Sequence, residues 1–206
     1  MPKTLILFYS ATGNTAALAD QVAEGARSVR FNEVDVRRID DLASEDVINA
    51  SAEWKERRAV FAVKYQTLGS IDELATYDAI VLGSPTRYGI MAAELKHVID
   101  QAAPLWQKGA LVNKVGSAFT SVGAAHGGHE TTLWSIMTPM AHMGMIIVPP
   151  GYTDPALFEG GSASGATAVP VDGVPTEADL AAARHQGKRV GEVTGWITHA
   201  KSHHHH

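Results

Sequence analysis

Short apolar runs alternate with amphipathic stretches along most of the chain. Five runs predict β-strands because each is rich in apolar or β-branched residues and is bounded by turn residues. They cover residues 4–9, 34–39, 79–82, 115–121 and 145–148. The first run is continuously apolar after Thr4, which is typical of a strand buried on both faces of a parallel sheet. We therefore expect a sheet that is covered on both sides.

Helix-period stretches lie between these predicted strands. They predict helices over residues 14–27, 92–101, 130–142 and 176–199, with capping signals at 70–73 and 176–179. Parallel strands need right-handed crossover connections, so this alternation predicts a doubly wound α/β sheet with helices on both faces. We predict one domain over residues 1–200, because no repeat or linker divides the chain.

Two segments fit this alternation less well. Residues 40–66 form an excursion of mixed polarity, with a helix expected around 44–58. Residues 149–175 are rich in Gly, Pro and Ala and predict a long loop. Loops of that length are usually functional or disordered.

Composition narrows the possible classes of chemistry. Of the 206 residues, 45% are apolar, 19% are charged and none is cysteine, so redox chemistry requires a bound cofactor. A net charge of -5 without a basic stripe argues against nucleic-acid binding. The apolar runs are too short to span a membrane, and the N-terminus lacks a signal-peptide pattern, so we expect a cytoplasmic protein. Residues 201–206 are interpreted as the remnant of a purification tag.

The segment after the first predicted strand suits a phosphate group. Ligands of open α/β sheets bind beyond the carboxyl ends of the strands, and here that segment consists of Ser10, Ala11, Thr12, Gly13, Asn14 and Thr15. A helix N-terminus and hydroxyl groups donate hydrogen bonds to phosphate. Since neither G-x-x-x-x-G-K-[ST] nor G-x-G-x-x-G occurs, a monophosphate is favoured. The alternative is a plain turn capped by Ser10 or Thr12.

The segments after the third and fourth predicted strands suit a flat ring. The first of them contains Pro85, Thr86, Arg87, Tyr88 and Gly89. Its guanidinium and phenol can stack on a planar polar ring, although an ordinary loop with a solvated Arg87 is the alternative. The second has small residues that let a ligand approach the backbone. They are Ser121, Val122, Gly123, Ala124, Gly127 and Gly128.

A phosphate loop and two ring-binding loops at one sheet edge together favour flavin mononucleotide (FMN). Other chemistries find less support in the sequence. His126 and His129 lack a third ligand at a familiar spacing, so no metal site is predicted. The absence of G-x-S-x-G after any predicted strand argues against a serine hydrolase.

Several motifs in order resemble the flavodoxin-like NAD(P)H:quinone oxidoreductases of the tryptophan-repressor-binding-protein type. Besides the phosphate loop and the Thr86 segment, they cover residues 105–106, 128–133, 142–145, 148–152 and 160–167. The resemblance spans most of residues 3–195. It departs from the family pattern at Thr12, where an aromatic residue is common, at His142-Met143 and at Ala163-Ser164, and residues 40–66 match it poorly.

The resemblance implies a five-stranded parallel sheet in the order 2-1-3-4-5, noncovalent FMN and a homotetramer, with a dimer as the alternative. It also implies two-electron quinone reduction by NAD(P)H in a ping-pong sequence. Residues 10–15 would hold the FMN phosphate, 86–89 would line the isoalloxazine and 121–128 would hold its other edge. Trp106 would face the substrate and His142 the flavin, although His142 and Met143 remain alternatives for that position. Arg87 would stabilise developing negative charge.

Two other functions remain open at this point. A one-electron carrier of the flavodoxin class would expose its flavin within a strongly acidic surface, whereas the charge of -5 here is mild. An interaction protein in which FMN is regulatory is the third reading. Oxidation of a nicotinamide with and without a quinone distinguishes the three.

Overall fold

The computed structural model describes residues 1–203, and the tag prediction for residues 204–206 lies outside the described residues. In the described part, eight strands form one sheet with the order β3-β2-β1-β4-β6-β7, while β5 pairs with β4 and β8 with β6. The longer strands are β1 (Lys3–Phe8), β2 (Glu33–Arg38), β4 (Ala79–Arg87) and β6 (Val115–Ser121). The two-residue strands are β3 (Gln66–Thr67), β5 (Ile90–Met91), β7 (Ile146–Ile147) and β8 (Thr167–Ala168).

All five predicted strands occur, as β1, β2, β4, β6 and β7, and they stand in the expected order. The expected count of five and the purely parallel sheet need correction. β3, β5 and β8 are additional, and β5 runs antiparallel to β4. Each of the three has two residues, and none lies within a run of large apolar residues like residues 145–148, which predicts β7.

The outer edge of the sheet is assembled from two separate pieces. β7 pairs with Val115 and Gly116 at the start of β6, whereas β8 pairs with Thr120 and Ser121 at its end. The chain between them includes the short helix α7 (Ala156–Glu159). The predicted loop over 149–175 is therefore wrong in part, because this segment returns to the sheet and continues its edge.

Alternate residues of the central strands enter two hydrophobic cores. Ile6 and Phe8 face one core, which contains residues of α1 (Asn14–Arg27) and α8 (Glu177–His203). Leu5 and Leu7 face the other. That second core contains residues of α4 (Ala93–Gln101), α5 (Ala103–Gln107) and α6 (His129–His142). The expected helices on both faces are confirmed.

Helix α8 packs closely on α1 through glycines. A β-carbon added at Gly187 would overlap the carbonyl oxygen of Val22, and one added at Gly25 would overlap that of Arg184. The start of α8 has the predicted reciprocal cap, in which Asp179 N donates to Thr176 Oγ1 at 3.2 Å and Thr176 N donates to Asp179 Oδ2 at 3.0 Å. Because α8 continues to His203, the predicted domain boundary at residue 200 falls inside a helix.

The excursion over residues 40–66 contains α2 (Glu45–Asn49) and α3 (Ala52–Lys64) rather than the single helix expected at 44–58. Ser51 separates them and caps α3, because its hydroxyl accepts a hydrogen bond from Trp54 N at 3.2 Å. Every residue of α3 is exposed or half-buried. Beyond β3, the capping signal at 70–73 begins a 3-10 helix over Ile71–Thr76, where Ser70 Oγ accepts from Asp72 N.

Candidate functional site

Hydroxyl groups join the three predicted ligand loops at the carboxyl edge of the sheet. Thr15 Oγ1 in α1 and Ser121 Oγ at the end of β6 lie 2.8 Å apart in a buried hydrogen bond. Thr132 Oγ1 in α6 donates to Thr86 Oγ1 in β4 at 2.9 Å. These bonds place the ends of β1, β4 and β6 around one site, as the strand order predicts.

The phosphate loop ends on a glycine that begins α1. Gly13 has φ 99°, a left-handed conformation that glycine adopts without steric cost, and its N–H donates to Ser10 Oγ at 3.1 Å. Because the N-cap residue is glycine, it brings no side chain to cap the first turn. That turn is formed by uncharged Asn14, Thr15, Ala16 and Ala17. The positive end of the helix dipole is thus available to an anion such as a phosphate monoester.

The segment after β4 is a tight hairpin. Thr86 and Arg87 pair with Met91 and Ile90 across a two-residue turn, Tyr88-Gly89. Both turn residues have positive φ, 54° and 84°, as a type I′ turn requires. Tyr88 is fully exposed, while Arg87 is exposed and donates to the Thr86 carbonyl at 3.1 Å.

The loop after β6 approaches this hairpin closely. A β-carbon added at Gly128, which has φ 91°, would lie 2.8 Å from the Gly89 Cα. Gly123 and Ala124 are exposed and offer their backbone to a ligand. The hairpin and this loop therefore border a shared surface next to the phosphate loop.

The side chains of two predicted site residues are buried within the sheet and do not lie at its open edge. Pro85 is buried inside β4, in register with Ser121 of β6. Val122 is also buried, and its N–H donates to the Ala168 carbonyl at 2.9 Å. The buried side chains of Pro85 and Val122 therefore do not face the open edge of the sheet, and only their backbone atoms are available there.

Trp106 and His142 lie apart from the three loops. Both line an apolar cavity of about 610 Å³ between α4–α5 and α6, together with Met91 and Pro139. Helix α6 begins beside the loops at His129 and ends at His142, so its rise of about 1.5 Å per residue separates the two histidines by roughly 20 Å. Within one chain, His142 thus lies at the opposite end of α6 from the loop after β6. Trp106 is 57% exposed.

The excursion brings a residue to the site that sequence reasoning missed. A β-carbon added at Gly13 would overlap Nη1 of Arg57 and lie 3.1 Å from its Cζ. Arg57 belongs to α3, within the segment that departs from the family pattern. No spacing rule connects it to the phosphate loop, so only the tertiary structure reveals this approach.

A buried phenol anchors the excursion beneath the same loop. Tyr9 precedes Ser10 directly, and its hydroxyl donates to Asp41 Oδ1 at 3.0 Å. Trp54 Nε1 donates to the same oxygen at 3.0 Å. Burial, together with the carboxylates of Glu94 and Asp41, raises the pKa of Tyr9 well above its usual value. The phenol is therefore a hydrogen-bond donor throughout the physiological pH range.

Within residues 1–203, no group of three His, Cys, Asp or Glu side chains has an arrangement that could hold a metal ion. Over the same residues, no helix is both long and apolar enough to cross a membrane.

This arrangement defines a class of protein: an open α/β sheet with an anion-binding helix start beside a cleft for a flat group, as in mononucleotide-binding proteins. Residues 2–154 match the family described as NADPH-dependent FMN reductase. The chain belongs to this oxidoreductase family.

Two curated relatives, which share one name, are similar to this chain over most of its length. The NAD(P)H dehydrogenase (quinone) of Rhodopseudomonas palustris (strain TIE-1) is 44% identical over 201 residues, covering 94% of this chain and 97% of that protein. A protein of that name from Bradyrhizobium sp. (strain BTAi1 / ATCC BAA-1182) has the same identity and coverage. These relatives confirm the resemblance that was drawn from the motifs.

Comparison with solved structures identifies the fold. A flavodoxin, WrbA-like protein from Agrobacterium tumefaciens matches with a TM-score of 0.68 and 24% identity, covering 96% of this chain and 99% of that one. A flavodoxin from the domain Archaea matches with a TM-score of 0.61 and 23% identity, covering 94% and 99%. The fold is flavodoxin-like.

Proposed function

We propose that the protein binds FMN at the three-loop edge and catalyses two-electron reduction of quinones by NAD(P)H. The observation that carries the proposal is the start of α1 at Gly13, which has no side-chain cap and is joined to the end of β6 through the buried Thr15–Ser121 hydrogen bond. A second, part-buried hydrogen bond joins α6 to β4 at the same edge. The balanced reaction converts NAD(P)H, a proton and a quinone into NAD(P)⁺ and a hydroquinone. The family and the two quinone dehydrogenases support this activity.

The phosphate loop fits the monophosphate of FMN. Backbone N–H groups of the first turn of α1 would donate to the phosphate oxygens, and the hydroxyls of Ser10, Thr12 and Thr15 would add neutral donors. The Ser10–Gly13 hydrogen bond keeps the loop in the conformation that opens these groups toward the ligand. The residues of this loop in the proposal are Ser10, Ala11, Thr12, Gly13, Asn14 and Thr15.

The other two loops would bind the ring. Thr86 to Gly89 would line one side of the isoalloxazine, and Gly123, Ala124, Gly127 and Gly128 would allow its other edge to approach the backbone. When bound, FMN supplies the hydride-accepting and hydride-donating chemistry. Arg87 is exposed at the hairpin and would stabilise negative charge that develops on the ring or on the quinone oxygen.

Oxidation of NAD(P)H, measured with and without a quinone, tests the activity. We expect fast oxidation only with the quinone, and parallel double-reciprocal lines, because one open ring face would hold the two substrates in turn. Intersecting lines would mean that both substrates bind together. Absence of quinone-dependent turnover in the FMN-loaded protein would leave an electron carrier or an FMN-binding interaction protein as the function.

Binding of FMN and of riboflavin tests the phosphate loop separately from catalysis. We expect micromolar or tighter binding of FMN and much weaker binding of riboflavin, because riboflavin lacks the charge-assisted hydrogen bonds to phosphate. Isothermal titration calorimetry measures both affinities. Equal affinities would contradict the assignment of residues 10–15 to the phosphate.

Arg87→Ala tests the electrostatic role of the hairpin. Turnover is expected to fall roughly ten- to a thousandfold while FMN occupancy stays full, because the guanidinium would act on charge formed during transfer. Arg30→Ala is a matched control, since Arg30 is exposed and lies over the Phe31 ring at the other end of the domain. Unchanged turnover in Arg87→Ala would identify Arg87 as a solvated loop residue.

The positions of Trp106 and His142 favour a homo-oligomer. Each is exposed at the apolar cavity, and His142 lies at the end of α6 away from the loop after β6, so we expect their contact with a flavin to come from a second copy. A tetramer is our first expectation and a dimer the alternative. Light scattering of the FMN-loaded protein tests this, and a mass near the 21.9 kDa of one chain would contradict it.

A further inference from the structure

Arg57 extends from α3 onto the glycine that begins α1. Its Cζ and Cδ lie 3.1 Å and 3.4 Å from the position of a β-carbon added at Gly13, and its Nη1 lies closer still. The side chain of Arg57 is 32% exposed, so most of it lies against the protein. A side chain at position 13 would displace the guanidinium from its place beside the phosphate loop.

The guanidinium has unused hydrogen-bonding capacity. Nη2 donates to Glu53 Oε1 at 2.9 Å, one turn earlier on α3. Among the described residues, Nε of Arg57 is buried without a hydrogen-bond partner. An arginine has five N–H donors, and a buried donor that stays unpaired costs free energy. Nη1, rather than Nε, is the nitrogen nearest Gly13, so it is the donor that an anion beside this glycine would meet.

The contacts of α3 with the segment around Asp41 orient Arg57 toward Gly13. Trp54 and Arg57 are three residues apart on one helix and therefore share a face. Trp54 donates to Asp41, which also accepts from Tyr9, the residue directly before the phosphate loop. One face of α3 is thus linked through Trp54 and Asp41 to Tyr9, the residue before the phosphate loop. The same face places the Arg57 guanidinium beside Gly13, near the end of that loop.

We propose that Arg57 binds the phosphate monoester of FMN together with the N-terminus of α1. The loop itself, residues 10–15, contains no lysine or arginine, whereas a phosphate monoester carries nearly two negative charges at pH 7. The guanidinium supplies the countercharge and a planar pair of donors that matches phosphate geometry. This inference rests on the proposed binding of FMN, and it assigns a role to the excursion.

Titration of the protein with FMN and riboflavin tests the proposal, with binding followed by quenching of flavin fluorescence. In Arg57→Gln the Kd of FMN is expected to rise about ten- to hundredfold, while that of riboflavin stays within about twofold. Arg57→Lys keeps the charge and restores part of the FMN affinity. Lys55→Gln is the matched control, since it removes one positive charge from the exposed side of the same helix.

A second variant gives an effect of opposite sign. Glu53→Gln removes the carboxylate that competes for the guanidinium, so FMN binding is expected to tighten severalfold. Damage to the fold of α3 would not tighten binding. Weaker FMN binding in Glu53→Gln would overturn the proposal, as would equal weakening of FMN and riboflavin, or no change, in Arg57→Gln.

The outcomes separate this proposal from the function on which it rests. Equal binding of FMN and riboflavin by the wild-type chain would reject the phosphate site and the role of Arg57 with it. A wild-type preference for FMN that survives unchanged in Arg57→Gln rejects only the role of Arg57. Loss of phosphate discrimination in that variant alone supports both.

Discussion

The two sides of strand β1 are built on different interactions. On one side, β4 and β6 continue the sheet with residues that are almost all buried. On the other side, β2 is half-buried along most of its length, and α3, which lies between β2 and β3 in the chain, contributes only exposed or half-buried residues. Apolar burial therefore holds the first side, and the second requires another source of order.

Polar contacts with aromatic residues and carboxylates supply that order. Tyr65 Oη donates to both carboxylate oxygens of Asp20 at 3.0 Å, and Lys64 Nζ binds the same group at 2.6 Å. Tyr77 Oη donates to Asp35 Oδ2 at 2.8 Å. The rings of Phe61 and Tyr65 also meet Phe8 edge to face. Most of these links join one carboxylate to a ring on another element.

The difference between the buried and the polar side of β1 matters for the candidate site, because each side holds different site residues. The buried side fixes the loops after β1, β4 and β6, which suits groups that must hold a ring in one position. The polar side carries Arg57 on a helix with little buried area. Regions of that kind open locally at lower free energy than a core does, so we expect α3 to exchange its amide protons faster than α1.

Substitution of a packing glycine should produce the largest effect. Gly187→Ala places a β-carbon on the backbone of Val22, which should reduce the free energy of unfolding by ~3 kcal/mol. Gly195→Ala in the same helix is the control, because among the described residues no atom beyond its chain neighbours and the adjacent helix backbone lies within 4 Å of its added β-carbon. That variant should gain about 0.5–1 kcal/mol from helix propensity. Urea unfolding measures both, and equal effects would contradict the close packing of α1 on α8.

Removal of one hydroxyl from the buried pair at the site comes next. Ser121→Ala leaves Thr15 Oγ1 without this partner, which should destabilise the protein by about 1–2 kcal/mol. FMN binding should weaken as well, because Thr15 belongs to the phosphate loop. Thr138→Ala removes an exposed hydroxyl bonded within its own helix and should stay within about 0.5 kcal/mol. Similar values for the two variants would show that the buried pair has no special weight.

A third substitution tests the polar side. Trp54→Phe removes the indole N–H that donates to Asp41, and should cost about 1.5 kcal/mol because the acceptor is a carboxylate. Hydrogen exchange followed by mass spectrometry should show faster exchange in α3 with α1 unchanged. Trp196→Phe is the control at a 64% exposed tryptophan. Equal acceleration in α1 and α3 would contradict the separate behaviour of the two sides.

The smallest effect is expected from alkaline pH. Burial, the largest cause, and the Asp20 carboxylate raise the pKa of Tyr65 to about 12 from a model-compound value of 10.0. Its contribution to stability is complete below pH 10 and is lost as the pH rises toward 12, because the unfolded chain releases the proton first. Relative to neutral pH, unfolding at pH 11 should be easier by about 1 kcal/mol through this group.

Comparison of wild-type protein with Tyr65→Phe isolates that contribution. The variant should show a shallower decrease in the urea unfolding free energy between pH 9 and pH 11.5. A decrease remains because burial also raises the pKa of Tyr77 to about 12. Identical slopes for the two proteins would mean that Tyr65 does not keep its proton more tightly in the folded chain.

The sequence alone was sufficient for the features that depend on neighbours along the chain. The predicted helix at 14–27 matches α1 residue for residue, and the cap at Thr176 and Asp179 forms as expected. The doubly wound α/β architecture and the three loops at the carboxyl edge followed from the alternation of strands and helices, whereas the strand order came from the family resemblance. Periodicity, caps and turn residues act over a few positions, so they are visible in the sequence.

Only the tertiary structure decided which distant residues meet. Thr15 and Ser121 are 106 residues apart, and their hydrogen bond depends on the packing of α1 against the sheet. Arg57 reaches Gly13 from a segment without a family motif, and the sheet edge continues beyond the predicted β7 through the two-residue strand β8. These contacts arise because apolar side chains must be buried and buried polar groups must find hydrogen-bond partners across the whole fold. Local sequence patterns cover only a few positions and therefore do not reveal them.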